Sequence, residues 1–231
     1  MSAAGRGGPR IEVDNYPTPP WCTRRILEVL PYFGSWIEPC AGEGAIADVV
    51  RGANPIARYQ TCDIRKIGEQ YVADATKPMR VLVSPFDLLI TNPPFNVAHE
   101  IIQAQRDTAR LCVYLLRSSF IAGERAEAYR DDMPAEYRLP ERPEFVASLK
   151  CKGEPAHLGH DGIEVLACGW SVKLPIHEER PHSCPRCGGR VQVSTTDSTP
   201  YSWFVWDTQR RSVGSCVVLP STPLAERKVK L

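Results

Sequence analysis

Long apolar runs are missing from this sequence of 231 residues, and none approaches the roughly 18 residues that a membrane-spanning helix needs. The beginning of the chain also lacks the apolar core of a signal peptide, so we expect a cytoplasmic protein with no membrane partner. A large net charge is also missing, because the formal net charge of the chain is only +1. Any contact with nucleic acid would therefore depend on local basic patches. No internal repeat is present, which excludes a solenoid.

Cysteine is plentiful, but it does not form the pattern of a small disulfide scaffold. The nine cysteines are scattered over the whole chain, which favours reduced thiols in the cytosol, some of them bound to a metal. Hydrophobic residues make up 43% of the chain and charged residues 24%, both ordinary for a globular protein. Length and composition together predict one sizeable domain with a small appendage.

Residues 86–95 join an apolar strand to a turn that contains two prolines. Residues 88–91, Leu-Leu-Ile-Thr, predict a strand that is buried on both faces of a parallel sheet. The strand ends on Asn92-Pro93-Pro94-Phe95. Because proline lacks a backbone N–H and fixes its own φ, the chain leaves the sheet there in one rigid shape. Ligands of open α/β sheets bind beyond the carboxyl ends of the strands, where this turn would lie.

The chemistry of this turn suits an amine substrate. The Asn92 side-chain oxygen and the Pro93 carbonyl are acceptors, and two adjacent acceptors can hold both hydrogens of a planar exocyclic amine or amide. Held in this way, the nitrogen lone pair is directed towards an electrophile. Phe95 adds a face on which a planar base can stack. The alternative interpretation is a loop whose prolines merely end a strand.

A glycine turn and a following acidic residue indicate a nucleotide-type site. Gly42 and Gly44 follow the short strand that ends near Glu38, and they let the backbone approach a ligand closely. Asp63 ends the next strand at a distance where a carboxylate meets ribose hydroxyls in such sites. The alternatives are an ordinary strand-to-helix turn and a surface aspartate.

Strand and helix patterns alternate from residue 36 to about residue 130. This alternation predicts an α/β fold with a mostly parallel sheet that is wrapped by helices. The first helix is predicted over residues 19–30, with Thr18 as its cap and Pro19 at its first position. A third strand is predicted over residues 71–75, with Asp74 near its end.

With these pieces in place, the chain resembles the S-adenosylmethionine-dependent amino-methyltransferases, specifically the small phage and prophage DNA adenine-N6 methyltransferases. The motifs that carry the resemblance are Tyr16-Pro17-Thr18-Pro19, residues 38–44 (Glu-Pro-Cys-Ala-Gly-Glu-Gly), Asp63, Asp74 and Asn92-Pro93-Pro94-Phe95, with residues 116–120, 139–143 and 201–207 later in the chain. The cofactor motif precedes the catalytic motif, as in the gamma group. The resemblance implies a Rossmann-like class I methyltransferase fold with seven strands, in a bacterial cell or a phage-infected host.

The resemblance also implies which residues bind S-adenosylmethionine. They are Tyr16, Thr18, Pro19, Glu38, Pro39, Cys40, Gly42, Gly44, Asp63, Asp74 and Asn92. The first three would line the methionine end, and the two glycines would pass beneath the cofactor. Glu38 would lie near its amino or sulfonium group. Asp63 would hold the ribose hydroxyls, and Asp74 would accept a hydrogen bond from the amino group of the adenine.

The implied reaction is methyl transfer to the N6 amine of an adenine flipped out of DNA, with the catalytic residues Asn92, Pro93, Pro94 and Phe95. Flipping is required because a duplex hides this amine from side chains. The alternatives are an enzyme of the same fold that methylates guanine in RNA or glutamine in protein, and a non-catalytic nucleic-acid-binding module.

A cysteine-rich insert is expected at residues 148–196. Cys184-Pro185-Arg186-Cys187-Gly188 has the form of a zinc knuckle, and structural zinc takes four ligands. We favour Cys151 and Cys168 as the other two ligands of a zinc-ribbon-like insert, with His157 and His160 as the alternative pair. Two unmetallated thiols in a loop are the remaining interpretation. The predicted methyltransferase domain comprises residues 13–147 and 197–220, between a flexible tail at 1–12 and a C-terminal tail at 221–231.

Overall fold

The computed structural model describes residues 17–68, 70–79, 85–151, 168–175, 181–194, 199–210 and 214–227. Its elements follow in chain order as α1 Pro20–Leu27, β1 Ser35–Glu38, α2 Ala45–Ala53, β2 Arg58–Asp63, β3 Tyr71–Val72, β4 Phe86–Thr91, α3 Ala98–Gln105, β5 Ala109–Arg117, α4 Glu124–Ala128, β6 Ala135–Arg138, β7 Val146–Cys151, β8 Ser171–Pro175, β9 Val191–Ser194, β10 Tyr201–Asp207, β11 Cys216–Val218 and α5 Leu224–Arg227. The predicted N-terminal tail 1–12 lies outside the described residues.

The main sheet has eight strands in the order β11-β6-β10-β5-β4-β1-β2-β3. Neighbouring strands are parallel except at β10, which runs antiparallel to both β5 and β6. The predicted α/β fold with a mostly parallel sheet is therefore confirmed. The strand count is eight rather than seven because β11 adds to the edge of the sheet beside β6.

The central strand β4 is buried on both faces, as its apolar run predicts. Leu88 and Ile90 pack on one face, in a cluster with Trp36 and Trp203. Leu89 packs on the other face, in a second apolar cluster. Side chains alternate between the faces of a strand, so a strand covered on both sides needs a continuous apolar run.

Two predicted details differ from the structure, one at the start of α1 and one at the end of β3. The cap of α1 is Pro19 and not Thr18, because Pro20 occupies the first helical position and no side chain caps the helix. The Thr18 hydroxyl instead accepts a hydrogen bond from Asn92. The predicted third strand, 71–75, is only the two-residue β3, which pairs with the end of β2 at the edge of the sheet.

A second, three-stranded sheet in the order β8-β7-β9 occupies the predicted insert. Both outer strands pair antiparallel with β7, which begins at Val146, two residues before the predicted boundary. This sheet is a small ribbon, and its metal-ligating candidates are described below.

The predicted C-terminal tail, 221–231, is packed where the structure describes it. Thr222 is fully buried, and its backbone N–H donates to Glu141. Its side-chain oxygen accepts from Arg25 of α1. Helix α5 follows, with Arg227 bonded to Glu141 at 2.7 Å. These hydrogen bonds hold residue Thr222, at the start of the predicted tail, against Arg25 of α1 and against Glu141.

Within the residues that the structure describes, no helix is long and apolar enough to cross a membrane.

Candidate active site and four-cysteine centre

The order of the sheet creates a crevice between β1 and β4. The chain passes from β1 outwards to β2 and β3, and then returns to β4, which pairs with the other edge of β1. At such a switch point the connections leave the sheet in opposite directions, and ligands bind at the carboxyl ends of the strands. Both motifs predicted for the site, the turn after β1 and the turn after β4, meet at this edge.

The glycine turn after β1 is held in place by backbone hydrogen bonds. The Ala41 N–H donates to the Cys62 carbonyl, and the Gly44 N–H donates to the Ala41 carbonyl, each at 2.8 Å. Gly44 caps α2 with a φ of 89°, a left-handed conformation that disfavours any residue with a Cβ. Gly44 is therefore required by its backbone conformation, and the close approach of a ligand to Gly42 and Gly44 stays a prediction.

Asp63 ends β2 and ties that strand to the glycine turn. One of its oxygens accepts from the Gly42 N–H at 2.9 Å, and the other accepts from the Arg65 backbone at 2.9 Å and from its side chain at 3.0 Å. Burial alone raises the pKa of Asp63, but the bonds from Arg65 and Gly42 outweigh it and lower the pKa. Asp63 is therefore an anion at the crevice, and the oxygen that accepts from Gly42 has a second lone pair that can accept from a ligand.

Asp74 lies across the crevice, beyond β3. The Thr76 hydroxyl donates to it at 2.6 Å, and Lys77 lies 3.1 Å from its other oxygen. The hydrogen bonds from the Thr76 hydroxyl and from Lys77 lower the pKa of Asp74. A second ionised carboxylate thus borders the crevice, where it can accept from an amino group.

Glu38 and Cys40 line the crevice at positions where burial disfavours their charged forms. Burial raises the pKa of Glu38 well above its ordinary value, with nearby Asp48 and Asp63 adding to the effect. Burial likewise raises the pKa of Cys40 to about 12, so its thiol stays protonated and is not a nucleophile at neutral pH. A cationic ligand group beside Glu38 would favour its ionised form.

The turn after β4 carries the asparagine and the aromatic ring predicted for catalysis. Asn92 Nδ2 donates to Thr18 Oγ1 at 3.1 Å, which fixes the plane of the amide and makes its oxygen the acceptor in the crevice. The Phe95 ring lies 5.7 Å from the Tyr201 ring. The Arg117 guanidinium lies 5.4 Å from the Phe95 centroid, over the ring. Polar and stacking groups therefore share one short segment.

The crevice has a volume of about 180 Å³ and brings most of the predicted site residues together. Those that line it are Thr18, Glu38, Pro39, Cys40, Gly42, Asp63, Asp74, Asn92, Pro93, Pro94 and Phe95. Two predicted residues do not line it. Pro19 faces an adjacent groove, and Gly44 supports the turn as the cap of α2. Tyr16 lies outside the described residues.

Sequence reasoning gave no role to Arg117 or Arg65. Arg117 is exposed at the end of β5, beside the strand that carries Asn92. The sequence signal that could have identified Arg117 is a basic residue at the end of a buried apolar strand. Arg65 follows Asp63 by two residues and is its main partner. Its signal was weaker, because a surface arginine after a strand is common.

The four cysteines of the predicted all-cysteine site meet at the end of the small ribbon. The sulfurs of Cys151, Cys168, Cys184 and Cys187 all lie within 4.8 Å of one another. Cys151 and Cys187 are 3.4 Å apart, and Cys168 and Cys184 are 3.5 Å apart. These separations exceed the length of a disulfide bond, about 2.05 Å. Four thiolates around zinc, at about 2.3 Å from the metal, are separated by comparable distances.

The backbone around Cys184 has the hydrogen bonds of a metal-binding turn. Burial alone raises the pKa of Cys184, but N–H groups of Arg186 and Cys187 and the thiol of Cys168 lower it to about 7. The turn closes through Gly188, whose φ is 74° and whose N–H donates to the Cys184 carbonyl at 2.8 Å. The donor set therefore fits a structural zinc ion. The alternative ligands His157 and His160 lie outside the described residues.

Solved structures similar to this chain include three methyltransferases of low sequence identity. The plantazolicin methyltransferase BpumL with SAH is 12% identical, and the match covers 48% of this chain and 52% of that protein at a TM-score of 0.33. Human N-acetylserotonin methyltransferase with SAM is 16% identical, covering 46% and 38% at 0.33. Precorrin-6y C5,15-methyltransferase from Geobacter metallireducens GS-15 is 11% identical, covering 82% and 86% at 0.41.

The match thus spans about half the length of the first of these proteins. No protein-family model and no curated protein matches the chain. The structure confirms the α/β architecture with a mostly parallel sheet that the sequence predicts, in the strand order β3-β2-β1-β4-β5-β10-β6 with β10 antiparallel.

Proposed function

We propose that this protein transfers a methyl group from S-adenosylmethionine to the N6 amine of adenine in DNA. The main observation behind the proposal is that Asn92 and the glycine turn line the same crevice, between the carboxyl ends of β1 and β4. The amide of Asn92, fixed by Thr18, lies in the same crevice as Gly42 and Asp63. An amine acceptor and a nucleotide-binding turn are the two elements that methyl transfer to a base requires.

The residues of the crevice fit the cofactor group by group. Asp63 and Asp74 are ionised acceptors for hydroxyl and amino groups, and their pKa values are both lowered. Glu38 is a buried carboxyl whose pKa is raised by burial, and a positive charge beside it would lower that pKa and favour the ionised form. When bound, S-adenosylmethionine supplies an electrophilic methyl group. The chain itself supplies the hydrogen-bond acceptors of Asp63 and Asp74 and the buried carboxyl of Glu38.

Asn92 and Phe95 would place the target amine. Hydrogen bonds from the amine to the Asn92 oxygen and the Pro93 carbonyl would direct its lone pair away from the ring system. Phe95 would stack on the base. A strong general base is unnecessary because the amine becomes acidic once it is methylated, and no histidine is among the described residues that line the crevice.

The test is methyl transfer from labelled S-adenosylmethionine to unmethylated plasmid DNA, with the nucleosides resolved by mass spectrometry. Asn92→Ala should lower turnover by about 100- to 1,000-fold, the cost of removing one transition-state hydrogen bond. Cofactor affinity should change little, because Asn92 contributes one of many polar groups in the crevice. Asn96→Ala, at an exposed position of the same turn, is the matched control.

N6-methyladenine from the wild type that is lost in Asn92→Ala supports the proposal. Unchanged turnover in Asn92→Ala contradicts the assigned role. Label that appears in RNA guanine or in protein glutamine, and not in DNA, would replace adenine by those substrates. Cofactor binding that cannot be detected by calorimetry would favour a non-catalytic binding module.

We further propose that the four cysteines hold one structural Zn²⁺. The four sulfurs converge, and the N–H groups of Arg186 and Cys187 favour the thiolate of Cys184 that a metal needs. Metal analysis of the purified protein should find about one zinc per chain. A metal-free protein whose four thiols all react with a thiol reagent while the ribbon stays folded would refute the site.

A further inference from the structure

We propose that Gln105 is a positioning residue for the cofactor, because it fixes the turn that carries Asp74 so that this carboxylate accepts a hydrogen bond from the 6-amino group of a purine. The inference rests on the proposed function, since it takes S-adenosylmethionine as the molecule that the crevice binds. Gln105 does not itself line the crevice and acts on it only through the turn.

Gln105 is the last residue of α3 and is fully buried. Its side-chain NH2 group donates two hydrogen bonds, to the carbonyls of Ala75 and Lys77, each at 2.7 Å. Its side-chain oxygen accepts from the Thr108 hydroxyl at 2.9 Å. Because both amide hydrogens are used and the oxygen is held from the other side, the plane of the amide is fixed. Two carbonyls of one short segment are thus bound to a rigid group.

The wall of the crevice that carries Asp74 has little support from the sheet. Strand β3 contributes two ladder residues, and the Ala73 N–H adds one hydrogen bond to the Asp63 carbonyl. Beyond Ala73 the chain leaves the sheet, and residues 74–76 line the crevice. The carbonyls that Gln105 binds lie in and directly after this segment. The amide from α3 therefore holds the wall where ladder hydrogen bonds end.

Thr76 connects the carbonyls that Gln105 binds with the carboxylate of Asp74. It lies between Ala75 and Lys77, and its backbone N–H, at 3.0 Å, and its hydroxyl, at 2.6 Å, both donate to Asp74 Oδ1. Lys77 Nζ lies 3.1 Å from Asp74 Oδ2. Both lone pairs of Oδ1 are therefore occupied, and Oδ2 keeps one for a ligand. The direction of that lone pair depends on the orientation of Thr76, and hence on Gln105.

The remaining lone pair of Asp74 suits an amino group. The hydrogen bonds from the Thr76 hydroxyl and from Lys77 lower the pKa of Asp74, so it is ionised at neutral pH and can only accept. It accepts from the 6-amino group of adenine, but it faces another acceptor when the purine carries a 6-oxo group. A correctly oriented Asp74 therefore distinguishes the two purines, and a misdirected one does so less.

The experiment compares the affinities of S-adenosylhomocysteine and S-inosylhomocysteine, in which an oxo group replaces the 6-amino group, by titration calorimetry. The wild type should bind the adenosine form about 10- to 100-fold more tightly, the value of a hydrogen bond to a charged group. Gln105→Met keeps an unbranched side chain of similar size but removes the hydrogen bonds, and it should reduce this ratio by about 5-fold. Gln103→Met, at an exposed position of the same helix, is the matched control and should keep the ratio.

The ratio separates positioning from a general loss of stability, because a weakened but folded protein binds both ligands less tightly by the same factor. Hydrogen exchange without ligand gives a second readout. The Thr76 and Lys77 amides donate within the turn and should exchange about 10-fold faster in Gln105→Met, while β4 amides stay protected.

Thr108→Val is a milder variant that decides the matter if Gln105→Met does not fold. Thr108 is only partly buried, and the change removes the hydroxyl that holds the Gln105 oxygen. The ratio of the two affinities should then fall by about 2-fold. A folded Gln105→Met with the ratio of its control would overturn the inference, as would an unchanged ratio in Thr108→Val. Equal affinities of the wild type for the two ligands would overturn it as well.

The outcome is separable from that of the proposed function. If the wild type methylates plasmid adenine but Gln105→Met keeps the ratio, the enzyme stands and the role of Gln105 falls. If the ratio changes as expected but no adenine in DNA is methylated, the role of Gln105 stands and the substrate assignment falls.

Discussion

The crevice and the ribbon solve the same problem, holding polar groups in fixed positions, in different ways. At the crevice, Asp63 is fixed by strands that carry a large apolar core on both faces of the sheet. The ribbon has three short strands and four convergent sulfurs, and a sheet of this size lacks enough apolar area to fold alone. The first region is held by packing, and we propose that the second is held by a metal.

The variant Cys184→Ser has the largest expected effect, and it tests whether a metal holds the ribbon while packing holds the crevice. Loss of a ligand should release the zinc and unfold the ribbon, because binding of structural zinc contributes on the order of 10 kcal/mol to folding. Hydrogen exchange at β7 amides should then rise by several orders of magnitude, while β4 amides stay protected. Cys216→Ser, an exposed cysteine outside the cluster, is the control. Protected β7 amides in zinc-free Cys184→Ser would show that packing holds the ribbon too.

Asp63→Asn tests the crevice, with an expected loss of about 1–3 kcal/mol in the free energy of unfolding. The variant loses the charge that accepts from Gly42 and Arg65. Because the pKa of Asp63 is lower in the folded state than in the unfolded chain, the folded protein binds fewer protons and the stabilisation is present above about pH 4. It is lost as the pH falls through the folded-state pKa.

Urea denaturation at pH 7 and at about pH 3 measures this effect. The difference between the wild type and Asp63→Asn should be large at pH 7 and should shrink at the lower pH. Asp48→Asn, an exposed aspartate that pairs with Arg51, should show little difference at either pH. A gap of equal size at both pH values would mean that the charge of Asp63 does not stabilise the turn.

The smallest expected changes in the free energy of unfolding concern two glycines of α2, Gly44 at its cap and Gly52 in its interior. Gly44→Ala should lower the free energy of unfolding by about 1–2 kcal/mol, because φ at this position is 89°. Gly52→Ala, inside α2 and with no atom from outside its own helical turns within 4 Å of the added methyl group, should raise it by about 0.5–1 kcal/mol. Thermal unfolding of the two variants should therefore shift in opposite directions. Shifts of the same sign would contradict the role of Gly44 as a left-handed cap.

Local patterns in the sequence were enough to predict the centre of the fold. The apolar run of β4 predicted its burial, and the glycine turn with Asp63 predicted the edge of the sheet where the crevice lies. These features depend on neighbours in the sequence, where periodicity and turn chemistry operate. Cys151, Cys168, Cys184 and Cys187 were predicted to lie together because the ligand chemistry of zinc restricts the choices.

Contacts between distant segments could not be predicted in this way. Thr18 was assigned as a helix cap, a local role, but its partner is Asn92, 74 residues away. Thr222 was assigned to a tail, but it is buried through contacts with Arg25 and Glu141. The strand β11 was missed because Val217 and Val218 are exposed and a three-residue edge strand has no burial pattern. Single-sequence patterns contain no record of such pairings.

The reversed direction of β10 has a consequence for how this chain can change over evolutionary time. Both ends of the ribbon segment leave the sheet side by side, since the rings of Phe145 and Tyr201 touch. Loop-closure entropy grows only slowly with length, so a segment of another size or design can replace the ribbon at a cost of about 1 kcal/mol or less for each doubling. The chemistry of the crevice would be inherited unchanged, while the inserted segment diverges freely.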